Sequence, residues 1–163
     1  MNKILISLIL LCFANGCGVY TFTGHGIGGI KSISVETFDN QTAEYGIRED
    51  LTDIIVQKLL ADKTLTVVDR NSADAILYGN ILSIVDNPLS YSGDESVSEY
   101  EIKITISFAL RKPDQSEPIW EDRLVGSGSY PFKTGSLEER TEGIKKASDI
   151  IAQDLINKLT SDW

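Results

Sequence analysis

"YEIKITISFAL", residues 100–110, sets Tyr100, Ile102, Ile104, Ile106, Phe108 and Leu110 against Glu101, Lys103, Thr105 and Ser107. Six apolar positions at a period of two predict a strand that is covered on one side and wet on the other. Downstream, "KPDQSEP" carries turn residues, and "IWEDRLVGSGSY" (119–130) returns as the partner of a hairpin. "SLEE" then places Ser136 and Glu139 at capping-box spacing. It opens a helix whose Leu137, Ile144, Ala147, Ile151, Leu155 and Leu159 are expected to face inward.

Upstream the pattern changes. Residues 31–38 alternate with β-branched side chains and predict a strand with Ile33 and Val35 on one face. "DNQTAEYG" reads as a loop. From Ile47 to Leu60, Ile47, Leu51, Ile54, Ile55 and Leu59 follow helical spacing. "LTVVD" (65–69) predicts a second strand, and a strand–helix–strand unit implies a parallel pair joined by a right-handed crossover. "NSAD" turns the chain into a long strand from Ala75 to about Val85. Asn87–Ser98, rich in Ser, Gly, Asp and Pro, is expected to be a loop. The sum is an α+β fold, a two-layer sandwich. Its mixed sheet has four to five strands, with two helices packed on one face.

The start of the chain carries a different signal. Lys3 precedes the apolar run "ILISLILLCFA" (4–14), too short for a spanning helix, which needs about 20 such residues. A positive start, a short apolar core and small residues before a break make a secretory signal. The break, "ANGC", resembles a bacterial lipobox, in which the cysteine is acylated and begins the mature chain. Residues 1–16 are therefore read as a lipoprotein signal peptide, 17–30 as a lipidated Gly-rich tether on Cys17, and 31–163 as one domain. Ala14 stands where leucine is usual, so ordinary cleavage with a free Cys17 is the plainer alternative. Cleavage before Cys17 removes Cys12, which leaves no pair of cysteines for a disulfide. Gly18, not aspartate, follows the cysteine. By resemblance to the sorting rule of Gram-negative lipoproteins, that favours the outer membrane.

Gly24, Gly26 and Gly29 fit G-x-G-x-x-G. A dinucleotide fingerprint must open a helix, whose amides hold the phosphates. These glycines lead into a strand instead, so they read as a tether. The formal charge of the chain is −9, one unit more negative without Lys3. That argues against nucleic acid, whose binding rests on phosphate neutralisation, and against adhesion to anionic lipid. Attachment to the membrane falls to the acyl chains on Cys17, each buried methylene contributing about 0.8 kcal/mol.

No residue set rises to an active site. His25 is the only histidine and lies in the tether, which disfavours a Ser-His-Asp triad or a histidine-rich metal site. Asp50 and Asp53 fall in the first turns of a helix, where carboxylates suit the dipole. Asp94, Glu95, Glu99 and Glu101 lack the spacing of a calcium loop. "NQT" (40–42) fits a glycan acceptor only by letter. No catalytic residue, no metal and no cofactor beyond the lipid is expected: a binding protein, not an enzyme.

Taken together, "CGVYTFTG", "IKSISVETFDNQT", "LTDIIVQKLL", "ADAILYGNILSI", "YEIKITISFAL" and "IWEDRLVGSGSY" before a C-terminal helix resemble the LPS-assembly lipoprotein family, LptE. The resemblance runs through the mature chain in the same order. It implies an outer-membrane lipoprotein on the periplasmic side that plugs a large LptD β-barrel. In that place it would help the barrel fold and help deliver lipopolysaccharide to the surface. Family members can bind lipopolysaccharide through exposed basic residues, whereas this chain is acidic. Arg111, Lys112 and Lys133 are the cations expected to serve, against the plainer reading of a charged hairpin tip and loop. The front half of the chain also resembles CsgG- and LpoB-type lipoproteins, which form a secretion pore or activate a peptidoglycan synthase.

Overall fold

The computed structural model describes residues 29–161. Residues 1–28, which hold the expected signal peptide, Cys17, His25 and most of the expected tether, lie outside the described residues. The elements run β1 (Ser32–Val35), β2 (Asp39–Asn40), α1 (Ile47–Asp62) and β3 (Thr66–Val67). A single helical turn at Arg70–Ser72 precedes β4 (Ala75–Tyr91), β5 (Val97–Arg111), β6 (Trp120–Pro131) and α2 (Leu137–Thr160). The sheet order is β3-β1-β4-β5-β6, with β2 pairing β4 off this path. Pairs within the first half are parallel; β4–β5 and β5–β6 are antiparallel. The fold is thus α+β with a mixed sheet of six strands. The sixth, β2, has two residues, too few to show any alternation in sequence.

Ile102, Ile104, Ile106, Phe108 and Leu110 are all buried beneath the helices, and Tyr100 is half-buried at the end of their row. Opposite them on β6 stand Gly128, Gly126, Leu124, Asp122 and Trp120. α1 contributes Ile47, Leu51, Ile55 and Leu59 to the same core, and α2 contributes Ala147, Ile151, Ala152, Leu155, Ile156 and Leu159. The two glycines decide how closely α2 lies on the sheet. A methyl group on Gly126 would meet the carbonyl oxygen of Ala147, and one on Gly128 that of Gly143. Backbone therefore packs on backbone here.

Five expectations are corrected. Asn87–Ser98 is not a loop: β4 continues to Tyr91 and β5 begins at Val97. The pairing absorbs the turn-like composition through irregularities at Pro88/Ser90 and Ser90/Tyr91, since a bulge tolerates a proline that a regular ladder would not. The first strand stops at Val35 and the third keeps only Thr66–Val67; beyond β1 the chain is held to β4 and α1 through single contacts, the Glu36 N–H donating to the Leu77 carbonyl at 3.0 Å. Among these, the N–H of Phe38 donates to Thr52 Oγ1 at 3.0 Å. Leu137, expected inward, is exposed, because the first turn of α2 lies beyond the region where the helix meets β6. Ile30, at the end of the expected tether, belongs to the core.

A polar clamp ties the layers together beside Tyr130. Arg140 of α2 donates from Nε and Nη2 to Asp86 Oδ2 at 3.2 and 3.1 Å, and from Nη1 to Glu44 Oε2 at 2.7 Å. Tyr130 donates its hydroxyl to Asp86 Oδ1 at 3.0 Å. Burial, followed by this bond to a carboxylate, pushes the Tyr130 hydroxyl up to about 12. Burial lowers the pKa of Arg140, yet its bonds to Glu44 and Asp86 raise it further, so the net shift is upward. One guanidinium thus joins the loop before α1, strand β4 and helix α2. Breaking a fully buried pair costs about 3–5 kcal/mol. Here the Arg140 side chain is 28% exposed, so Arg140→Ala is expected to lower unfolding free energy by about 2 kcal/mol, measured by urea titration.

Lys158 of α2 donates to Asp122 Oδ2 at 2.6 Å, and the Arg123 N–H donates to Asp122 Oδ1 at 2.7 Å. The Lys158 bond first, then the N–H, hold this carboxyl below its usual value. A carboxyl lowered in the folded state adds stability that is present above its unfolded pKa, near 3.9, and is lost as pH falls through the folded value. Asp122→Asn is therefore expected to flatten the acid limb of the stability curve below about pH 4. At neutral pH it should cost under about 1 kcal/mol, because the pair is partly in water.

Candidate ligand and docking surfaces

One face of the sheet carries both helices; the other is open. Register puts Tyr78, Asn80, Ser107, Ala109, Arg111, Glu121 and Arg123 on that open face. They line a depression of about 490 Å3, together with Phe108 and Asp122. Arg111 sits over the Tyr78 ring at 5.1 Å. From the other side, Arg70 donates to the Tyr78 hydroxyl at 3.0 Å and to Glu36 at 2.7 Å. The Nε of Arg111 is buried without a hydrogen-bond partner. A guanidinium resting on an aromatic ring at the edge of an open depression can present its Nη donors to an anionic or hydroxylated group.

The three cations expected from sequence do not form one site. Arg111 lines the open-face depression. Lys112 lines a second one of about 430 Å3, with Gly29, Ala73, Asp74 and Gln115. Lys133 stands at the opposite end of the sheet, where its N–H donates to Glu139 Oε2 at 3.3 Å. Phe132 beside it donates its N–H to the Ser98 carbonyl, so Lys133 is separated from Arg111 by nearly the length of β5. Thirteen residues of strand span about 40 Å, too far for one head group. Sequence reasoning missed Arg123 and Tyr78. The available signal was alternation: Arg111 continues the polar row of Glu101 to Ser107, and Ser107 pairs with Arg123. That pairing is a register fact, which no single strand contains.

The acidic residues are held by local partners. Asp94 accepts from Ser92 Oγ at 2.6 Å and Ser96 Oγ at 2.8 Å. These bonds, that from Ser92 first, hold its carboxyl at about 2, and they close the β4–β5 turn. Glu101 pairs with Lys103 at 3.1 Å. Among the described residues, no three His, Cys, Asp or Glu side chains gather as a metal site. Nor is any described helix long and apolar enough to cross a membrane.

Fold and surfaces together define a two-layer α+β domain with one open sheet face. The chain belongs to the LptE, lipopolysaccharide-assembly family, whose model matches residues 30–159. This is a family of non-enzymatic lipoproteins of the bacterial envelope. Solved structures share the fold. Protein XCC0632 from Xanthomonas campestris is 10% identical, with a TM-score of 0.59 over 80% of this chain and 85% of that one. A minor lipoprotein from Acinetobacter baumannii is 15% identical, with a TM-score of 0.53 over 80% and 90%. The PelC dodecamer from Paraburkholderia phytofirmans is 14% identical, with a TM-score of 0.52 over 80% and 90%. At these identities the likeness is one of fold alone. No curated protein sequence matches the chain.

Proposed function

We propose that this chain is an outer-membrane lipoprotein, acylated on Cys17 and held on the periplasmic side. There it plugs and helps assemble an LptD-type β-barrel and assists delivery of lipopolysaccharide to the cell surface. The observation that carries this reading is the family match, which spans the whole sandwich from Ile30 to Leu159. The role is binding and assembly; it includes no catalytic step. Arg111 is the cation best placed for lipopolysaccharide, because Tyr78 fixes its guanidinium and Arg123 lies on the same depression. Lys112 and Lys133 would each meet a different part of a large glycolipid, or a barrel wall.

The test is co-purification. With a C-terminal tag and mild detergent extraction of outer membranes, a single large β-barrel protein is expected in equal amount, and Cys17→Ala is expected to deplete it from the membrane fraction. Recovery of a peptidoglycan synthase, or of a ring of this chain alone, overturns the plug reading in favour of the LpoB or CsgG type.

A further inference from the structure

α1 and α2 lie side by side, and a cleft of about 320 Å3 opens between them, lined by Asp50, Asp53, Ile54, Ile144, Lys145 and Ser148. Three features separate it from an ordinary interhelical seam. Ser148 is 1% exposed, and its hydroxyl is buried without a hydrogen-bond partner. An unmet buried hydroxyl is a standing cost that a bound polar group removes. The walls beside it are apolar, with Ile54 and Ile144 both half-buried against the core. Asp50 and Asp53, on successive turns of α1, are exposed at the rim. Ion pairs among the described residues involve Arg48 with Glu49 and Lys58 with Asp149 nearby, and neither of these two aspartates.

We infer that this cleft receives the side chain of an arginine on a partner polypeptide. Its size sits at the lower end of the range for small-molecule sites, which suits one long side chain. The methylene stem would lie along Ile54 and Ile144, as long cationic side chains cover apolar surface while their heads stay polar. Carboxylates three residues apart on a helix are neighbours, and the forked donors of a guanidinium can serve both at once. Ser148 supplies an acceptor at the depth of the cleft. Lys145 leaves the lining net negative by one charge, which still favours a cation over an acidic or neutral residue. The acidity of the whole chain, −9, would draw such a partner in. The inference stands independently of which barrel or enzyme the domain serves.

The probe is N-acetyl-arginine amide, with N-acetyl-norleucine amide as the uncharged aliphatic control. Both are titrated into the isotope-labelled, lipidated chain in detergent micelles and followed by amide chemical shifts. Saturable shifts confined to Asp50, Asp53, Ile54, Ile144 and Ser148 are expected with the arginine probe. Binding should weaken at least about tenfold in D50N/D53N, whose substitutions are exposed and leave the core untouched. S148A tests the hydroxyl separately and should weaken binding while the rest of the spectrum is unchanged. Equal binding of the norleucine probe overturns the proposal. So do unsaturating shifts spread over the acidic surface, or unchanged affinity in D50N/D53N.

Discussion

Gly128→Ala is expected to lower the melting temperature by roughly 10 °C, corresponding to about 3 kcal/mol. The added methyl would fall on the Gly143 carbonyl oxygen and lie 2.8 Å from the Ala147 nitrogen. Overpacking usually costs about 1–3 kcal/mol because side chains can shift. Here the obstacle is helix backbone, which moves only if α2 lifts off β6, so the cost belongs at the top of that range or above. Gly126 faces the same helix, and its added methyl would meet the Ala147 carbonyl and Ile151 Cγ1 at 2.6 Å. The double substitution G126A/G128A should therefore approach the whole stability of a marginal domain, about 5–15 kcal/mol. It is expected to release α2, visible as lost near-ultraviolet circular dichroism. Ser127→Ala, between them and facing the other way, should change stability by less than about 0.5 kcal/mol. A Gly128→Ala protein as stable as S127A would show that α2 does not lie against β6.

Phe38→Ala is expected to cost about 3–5 kcal/mol. The ring is fully buried and lies against Gly79, where an added methyl would collide with three of its atoms. Its backbone N–H is held by Thr52, which in turn donates to the Arg48 carbonyl at 2.6 Å. Phe38 thus locks the segment between β1 and β2 to both α1 and β4, and truncation leaves a cavity that this framework cannot close. Gly79→Ala should also destabilise, by displacing the ring. In F38A/G79A the collision is gone, so the double variant should be more stable than the two single losses predict, with a coupling of about 1–3 kcal/mol. Strict additivity in urea titrations would remove the packing of Phe38 against Gly79 from the account.

These two contacts also explain how the domain can leave a sheet face open. The core is complete between one face and the helices, so Tyr78, Ser107, Arg111 and Arg123 are not needed to close it. Arg111 keeps its Nε without a partner, and the rest of its polar row meets solvent. The sandwich provides this face without loss of core.

Much of this was legible in the sequence because periodicity is a local property. The row Tyr100 to Leu110, the α1 stripe and the N-cap at Ser136, whose Oγ accepts from the Glu139 N–H, follow from spacing within one segment, and the parallel β1–β3 pair from the strand–helix–strand order. The Glu139 carboxylate, expected to close a capping box on Ser136, instead accepts from Lys133 and Thr134. Asn87–Ser98 was misread because composition reports turn residues but not the partner strand that holds them extended. Leu137 was misread because helical spacing names a face and not the point where that face runs past the sheet. In the candidate site, Arg111 was legible as a cation near a hairpin turn. Its ring partner Tyr78, and Arg123 on the same depression, were not, because strand register brings them together from three strands.

By itself, then, the sequence determined the layer architecture, the buried row of β5 and the acidic surface, since alternation, helical period and charge are written residue by residue. Only the tertiary structure decided which glycines carry a helix, which guanidinium spans Glu44 and Asp86, and where Ser148 is left without a partner. Each of those depends on atoms brought together from distant parts of the chain, at distances that packing alone sets.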